Sequence, residues 1–182
     1  MALLGRVAHS SLLNAIILSG ASANLSKKDR SLVLCSKRDL RTRSCAHIGF
    51  HFDTAQMPIN IMDAHFRSFQ HQVIPVCNAK GIGVLAMKTF AFGAIIKANV
   101  ADPIEMLHYS MTLPLSVVIT GMDTMPRLDQ ALTAAKTFKP MTQEQIATLL
   151  AKSKDLAADG HLELFKTSPS FDGTIRNPEY LA

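Results

Sequence analysis

The spacing of hydrophobic positions changes repeatedly along this chain after residue 50. Residues 52–57, 82–87 and 115–120 are short apolar runs of strand length. In the segments that follow them, apolar residues recur at three- and four-residue intervals, the spacing of one helix face. Strands that are apolar on both sides are typical of a parallel sheet covered by helices. The pattern predicts three strand–helix units of an α/β protein.

Two of the predicted helices have clear starts. We expect Asp63 to be the N-cap of a helix that extends to residue 79, with Phe69 and Val73 on its apolar face. Asp102 followed by Pro103 predicts the start of the second helix, because proline is favoured at the first helical position.

A further helix is predicted over 143–157. Thr142 and Gln145 have the spacing of a capping box, in which each side chain bonds to the backbone of the other residue. We expect residues 88–101 and the tail 163–182 to be mostly loop.

The turn after the third predicted strand is a candidate anion site. In SVVITGMDTMPRLDQA (116–131), a β-branched run ends at Gly121 and a helix carrying Arg127 follows. The free N–H groups and the positive dipole end of a helix start favour an anion. The alternative is that Arg127 pairs with Asp123 or Asp129 on the helix surface.

The N-terminal segment is unlike the rest in charge. Residues 1–50 hold eight Lys/Arg and two Asp, a net charge of +6, whereas 51–182 carry a net charge of −1. The basic run 27–43 has no interleaved aromatic residues on which bases could stack. We expect a basic leader of undetermined structure over 1–46, in which the basic run is solvated, with no nucleic-acid and no membrane partner. An accessory role in binding either is the least favoured hypothesis.

Residues 11–23 (SLLNAIILSGASA) fit two interpretations. A signal peptide is one, because Arg6 precedes the segment and Ala-Ser-Ala ends it. The favoured alternative is an apolar helix or an irregular leader, because Asn14 interrupts the apolar core.

The three cysteines indicate a reducing compartment. Cys35, Cys45 and Cys77 are widely spaced and have no metal-ligand pattern. No apolar run reaches the ~20 residues that cross a membrane. We expect a cytoplasmic protein without a metal site.

Several segments over about 130 residues resemble one known family in order and spacing. They are FDTAQMPINIMDAHFRSF, GIGVLAMKTFAFG, PIEMLHYSMTLPLSVVITGMD, LDQALTAAKTF and ELFKTSPSFDGTIRNPE. This part of the chain resembles the C-terminal half of a bacterial-type aldo/keto reductase. The resemblance implies an α/β fold with a partial (β/α) TIM-type barrel over 47–182. It would comprise the last three strand–helix units, an extra C-terminal helix and a loop tail.

The resemblance also implies NADP(H) at the C-terminal ends of the strands. Gln56 matches the glutamine that binds the nicotinamide carboxamide, and Met87 replaces a tyrosine that stacks on that ring. Arg127 matches the arginine that pairs with the 2′-phosphate. Lys88 directly follows a strand, where barrels keep functional residues; the alternative is a lysine that extends to solvent. The expected cofactor-binding set is Gln56, Met87, Lys88, Gly121, Met122, Asp123, Thr124, Arg127 and Gln130.

The chain departs from the family at other positions. Ala131 replaces an asparagine that contacts adenine, and Gly121 replaces a lysine near the phosphate, so NAD is an alternative cofactor. The family's catalytic tyrosine, lysine, aspartate and histidine lie in the N-terminal half of the barrel, and neither Tyr109 nor Tyr180 matches that tyrosine. We expect a truncated or internally deleted oxidoreductase for NADP(H)-dependent carbonyl reduction or alcohol oxidation. It would contain no catalytic residues and be inactive alone.

The alternative is a non-catalytic assembly module. A half barrel leaves two open sheet edges and an uncovered apolar interior face, and such surfaces associate. Self-association or binding to a complementary half barrel is then expected.

Other reactive side chains are expected to be structural. His65 and His108 are predicted to be packed or surface histidines, and Cys77 a small buried hydrophobe. Asp53 and His51 could form an acid–base couple, but a strand contact is favoured.

Overall fold

The computed structural model describes residues 52–168, together with the backbone of two short strands that precede them. The strands are β1 (Asn14–Leu18), β2 (Leu32–Leu34), β3 (Thr54–Pro58), β4 (Gly83–Met87) and β5 (Val117–Gly121). The helices are α1 (Phe69–Gln72), α2 (Ile74–Ala79), α3 (Ala94–Lys97), α4 (Pro103–Thr112), α5 (Met125–Thr137), α6 (Gln143–Ala157) and α7 (Leu164–Thr167). A 3₁₀ turn, Ala91–Gly93, precedes α3.

Strands β3, β4 and β5 form a parallel sheet with β4 in the middle. Parallel neighbours need long crossover connections, and helices α1 to α4 lie in the two connections of this sheet. The prediction of an α/β protein with a parallel sheet is confirmed.

The two leader strands extend this sheet at its edges. Strand β2 pairs in parallel with β3, and β1 pairs antiparallel with β5. The edges of the three-stranded parallel sheet are therefore paired, and β1 and β2 are the edge strands of the five-stranded sheet. A strand at Asn14–Leu18 also replaces the helix considered for 11–23. Because β1 is antiparallel, the sheet does not establish a TIM-type barrel, whose strands are all parallel.

The two faces of the parallel sheet have different surroundings. Side chains alternate between faces along a strand. Ala55, Val84 and Val118 lie on the helix-covered face and are fully buried in the first core cluster, beneath Phe69 and other residues of the helices.

The opposite face is less covered. Strand register aligns Gln56 with Leu85 and Leu85 with Val117, and all three are half-buried. None of them belongs to either core cluster of the described residues.

A second core cluster lies under α4 and α6. Its fully buried members include Ile61, Tyr109 and Leu149. Phe165 of α7 joins it, so the short C-terminal helix is part of the packed structure.

The helix predicted from Asp63 to residue 79 is wrong. Residues 61–67 form turns and bends, α1 begins after the N-cap Ser68, and the separate helix α2 begins at Ile74 with Pro75 in its first turn. Asp63 nevertheless caps α1 from a distance, because its carboxylate accepts from the backbone N–H of Phe69 at 3.0 Å and of Gln70 at 2.9 Å.

The later helices match their predicted starts. Asp102 accepts from the N–H groups of Ile104 and Glu105. Thr142 and Gln145 form both bonds of the capping box. The predicted loops each contain short helices, α3 and α7, while residues 169–182 lie outside the described part.

Candidate functional site

The C-terminal ends of β3, β4 and β5 meet at one edge of the sheet. Parallel strands place their ends together, and such edges carry the ligand sites of α/β proteins. Gln56 and Met87 lie on the same face there, and Gln56 Nε2 donates to Met87 Sδ at 3.3 Å. Two residues predicted from separate strands are thus in contact. We call the C-terminal ends of these three strands and the turns that follow them the strand-end site.

The segment after β4 has an unusual backbone. Lys88, Ala91 and Phe92 have φ angles of +55°, +46° and +58°, in the left-handed region. The Lys88 carbonyl accepts from Ala91 N–H at 2.8 Å and from Asn60 Nδ2 at 3.2 Å. One of these hydrogen bonds comes from within the turn and the other from the segment after β3, and together they hold the left-handed turn in place.

The Lys88 side chain lies against two aromatic rings. Its Nζ is 4.4 Å from the centroid of Phe92 and 4.6 Å from that of Phe165. Burial lowers the pKa of the Lys88 amine below that of an exposed lysine. Lys88 thus has a half-buried, aromatic-lined environment at the strand-end site.

Asn60 connects the strand-end site to the C-terminal segment. Its side-chain oxygen accepts from Met62 N–H at 2.8 Å and from Asp63 N–H at 3.1 Å. Its Nδ2 also donates to Glu163 Oε1 at 3.1 Å. The sequence reasoning missed Asn60; its position two residues after a buried strand was the available signal.

Below Asn60 lies a buried charge cluster. Lys166 Nζ is 2.7 Å from Asp63 Oδ1, 2.8 Å from Glu163 Oε2 and 2.7 Å from the Phe66 carbonyl. The three charged side chains are at most 1% exposed. Burial raises the pKa of Asp63 and of Glu163 because it disfavours their charged forms, and the Lys166 ammonium offsets part of this effect. This cluster fastens α7 to the loop that follows β3.

The residues predicted to bind a phosphate lie at the protein surface, in the turn after β5 and the start of α5. Gly121, Asp123 and Thr124 are exposed, and Thr124 is the N-cap of α5 without a side-chain cap bond. Arg127 makes an ion pair of 2.5 Å with Asp123, and both side chains are largely exposed. This is the surface pairing that the sequence left open as the alternative.

The other two residues of that turn and helix are half-buried. Met122 packs against the first core cluster, and Gln130 lies one turn further along α5 than Arg127. A hydrogen bond of 3.4 Å between Thr89 and Thr120 ties the ends of β4 and β5 together. Neither threonine was singled out from the sequence.

The remaining histidines and the cysteine have packed surroundings. Nε2 of His65 lies 3.0 Å from Ser153 Oγ and 3.1 Å from the Leu150 carbonyl, and burial lowers its pKa. Nε2 of His108 donates to the Ala134 carbonyl at 2.9 Å. Cys77 is fully buried, and burial raises its thiol pKa. These surroundings agree with structural roles.

Tyr109 is fully buried in α4. Its hydroxyl donates to Gln70 Oε1, and burial raises its pKa. A phenol in this environment is neither exposed nor an easy proton donor. Tyr180 and His51 lie outside the described residues, while the Asp53 carbonyl accepts from Gly83 N–H at 2.8 Å, a contact between neighbouring strand starts.

Other ligand positions in the described part are poorer candidates. A groove of about 580 Å³ lies between the starts of α4 and α6 and the end of α5, and Asp102, Glu105 and Lys139 are among its lining residues. It contains none of the nine predicted residues, and both helix starts are already capped. Residues 52–168 hold no cluster of His, Cys, Asp or Glu suited to a metal ion. None of the helices in this range has the length and apolar character needed to cross a membrane.

Fold and site together define an α/β protein with a polar edge at the ends of its parallel strands. No protein-family model matches the chain, and comparison with curated proteins finds no match. The likeness to aldo/keto reductases therefore rests on the segments quoted above.

Proposed function

We propose that the chain is an aldo/keto reductase-like half barrel that binds NADP(H) at its strand-end site. The observation that carries the proposal is the contact between Gln56 and Met87 at the C-terminal edge of parallel strands. On the same sheet, β5 leads into a helix start with Arg127. A nicotinamide beside Gln56 and Met87 and a phosphate beside Arg127 would be the two ends of one extended dinucleotide.

The chemistry of these groups fits that ligand. The Gln56 amide has a donor and an acceptor, as carboxamide recognition requires. The Met87 thioether can pack on a flat ring. The Arg127 guanidinium suits a phosphate through paired N–H donors, although the phosphate must displace Asp123 from its present ion pair.

The test is a calorimetric titration of the full chain with NADPH and with NADH. Arg127→Ala should weaken NADPH binding roughly tenfold or more, since hydrogen bonds to charged groups contribute about 1.5–3 kcal/mol. NADH binding should change little. Asp123→Asn should strengthen NADPH binding, because it frees Arg127 and removes a repelling charge.

The matched control is Lys136→Ala, which removes one positive charge from the last turn of the same helix. It should leave NADPH affinity unchanged. Equal weakening by both variants would show general charge attraction and contradict a phosphate contact at Arg127.

The proposal includes inactivity of this chain alone. Carbonyl reduction by hydride transfer needs a proton donor at the reacting oxygen, and the Tyr109 hydroxyl is instead buried and donates to Gln70 Oε1. With NADPH and a panel of aldehydes we expect turnover far below the order of 1–10 per second of ordinary enzymes. Turnover in that range would refute the inactivity.

A second candidate function is assembly, favoured by the half-buried sheet face that carries Leu85, Met87 and Val117. The helices of 52–168 cover only the opposite face with core residues. A second copy or a complementary half barrel packed on this face would bury it. Sedimentation should show dimers at micromolar concentration that Leu85→Lys dissociates and Leu132→Lys, on exposed α5 surface, does not. Monomers at all concentrations would exclude the assembly.

A further inference from the structure

The side chain of Asn60 uses every hydrogen-bonding position that an amide has. Its oxygen accepts from the backbone N–H groups of Met62 and Asp63. Its Nδ2 donates to the Lys88 carbonyl at 3.2 Å and to Glu163 Oε1 at 3.1 Å. A primary amide offers two donors and two acceptors, and here all of them are used. Asn60 is completely buried, so these bonds are made without competition from water.

One of the two donated bonds holds the turn that follows β4. The Lys88 carbonyl accepts from Asn60 and, within the turn, from Ala91 N–H at 2.8 Å. The residue before it, Met87, carries the sulfur that contacts Gln56 at the strand-end site. A left-handed φ such as the +55° of Lys88 costs free energy and persists only where the surrounding structure fixes it. The bond from Asn60 is one of the contacts that fix this turn.

The other donated bond joins Asn60 to the C-terminal helix α7. Glu163 directly precedes α7, and its second carboxylate oxygen lies 2.8 Å from Lys166 Nζ within that helix. Helix α7 has four residues, so it depends on such tertiary contacts rather than on its own hydrogen bonds. Contacts between side chains that are at most 1% exposed therefore lead from α7 through Glu163 and Asn60 to the turn after β4.

We propose that Asn60 is a positioning residue of the strand-end site, which transmits the docking of α7 to the turn after β4. The turn keeps its left-handed form while α7 is docked, and it opens more readily when α7 is released. Asn60 acts through the Lys88 carbonyl and contacts no ligand itself. The consequence for ligand binding rests on the proposed function, whereas the effect on the turn needs no ligand.

Hydrogen exchange of single amides, followed by NMR on the full chain, measures the opening of the turn. Ala91 N–H reports on the turn, because it donates to the Lys88 carbonyl, and Lys166 N–H reports on α7, because it donates to the Glu163 carbonyl. The main variant combines Asn60→Asp with Glu163→Gln, which swaps the amide and the carboxylate between the two positions.

This swap keeps the net charge and reverses the hydrogen bond between positions 60 and 163. The oxygen that accepts from the Met62 and Asp63 N–H groups is also kept. The Lys88 carbonyl, however, loses its donor and faces a carboxylate oxygen instead. Ala91 N–H should therefore exchange roughly three- to tenfold faster than in the wild type, while Lys166 N–H keeps its wild-type rate.

A second variant tests the link to α7. Glu163→Ala leaves the bond from Asn60 to the Lys88 carbonyl intact but removes the contact through which α7 supports Asn60. The exchange of Lys166 N–H and of Ala91 N–H should both become faster. Acceleration of Lys166 N–H alone would overturn the transmission from α7 to the turn.

The matched control is Asn78→Asp, which removes another amide that donates to a loop carbonyl, that of Pro114 at 3.1 Å. It should leave the exchange of Ala91 N–H unchanged. An unchanged Ala91 rate in the double variant would overturn the positioning role of Asn60. Equal acceleration of Met106 N–H in α4 would show a general loss of stability and would overturn it as well.

Exchange in the presence of NADPH connects the turn to the site. Since we expect binding to require the closed turn, NADPH at about ten times its Kd should slow the exchange of Ala91 N–H in the wild type roughly tenfold. Calorimetric binding without this protection would overturn the positioning role. Absence of calorimetric binding would refute the proposed function instead, and the ligand-free rates of Ala91 N–H would still decide whether Asn60 holds the turn.

Discussion

At the scale of single residues, the buried charge cluster is the strongest constraint in the described structure. Lys166 contacts Asp63, Glu163 and a backbone carbonyl, and all its charged partners are shielded from water. Removing Lys166 would leave the two buried carboxylates without a compensating charge, which costs several kcal/mol. The cluster also supports Asn60, and through it the left-handed turn at Lys88.

The cluster predicts an unusual dependence of stability on pH. The folded-state pKa of Glu163 is raised above the 4.5 of a free side chain, because burial disfavours its charge. A raised folded pKa contributes stability that is fully present below the unfolded pKa and is lost as pH rises through the folded value. The free energy of unfolding should therefore decrease as pH rises through this window, and Glu163→Gln should reduce that slope.

Urea unfolding at several pH values measures this slope. Glu144→Gln changes an exposed carboxyl at the start of α6 and should keep the wild-type slope. The burial of Glu163 would be contradicted if the free energy of unfolding rose with pH equally in the wild type, Glu163→Gln and Glu144→Gln.

Gly160 gives a second residue-scale prediction. Its φ is +71°, and an added Cβ would lie 2.5 Å from the Phe66 ring. Gly160→Ala should destabilise the fold by about 2–4 kcal/mol through strain and overpacking. Gly121→Ala, where a Cβ meets no atom within 4 Å, should be nearly neutral. Thermal unfolding compares the two, and similar melting temperatures would refute the packing at Gly160.

At the scale of elements, helix ends decide which parts of the sequence could be predicted. Helix α6 begins where Thr142 and Gln145 predicted it, because a capping box is written in adjacent residues. The helix expected from Asp63 failed, because the Asp63 carboxylate is used in long-range contacts with Lys166 and with the start of α1. Local spacing does not show contacts between residues about one hundred positions apart.

The same distinction holds at the candidate site. Gln56, Met87 and Lys88 could be placed at strand ends from the hydrophobic runs and the family resemblance. Asn60, Thr89 and the left-handed turn could not, because they depend on how neighbouring strands meet.

Thr142→Ala tests the element that the sequence predicted best. It removes the cap bond to Gln145 N–H and should cost about 1 kcal/mol of stability. Thr148→Ala, at an exposed position inside α6, should be neutral or slightly stabilising, because alanine favours helix. Denaturant unfolding measures the stability of both variants. An equal loss of stability in Thr142→Ala and Thr148→Ala would show that the capping box does not stabilise α6.

At the scale of the whole molecule, a parallel three-stranded centre with helices over one face positions the strand-end site. The leader strands β1 and β2 belong to the same sheet, so residues before 47 take part in the fold. Within residues 52–168, the helices cover only one face of this sheet with core residues. The proposed dinucleotide binding and the proposed assembly both concern the opposite face, so each is expected to interfere with the other.

The proposed binding of NADP(H) at the strand-end site is tested most directly by methyl NMR of the methionines during titration with NADPH. Met87 at the end of β4 and Met125 at the start of α5 should shift in a saturable manner, with assignments from Met87→Leu and Met125→Leu. Met106 and Met111, buried in α4, should not move. Shifts confined to Met141 in the groove between α4 and α6, or no shifts at millimolar NADPH, would contradict binding at the strand-end site.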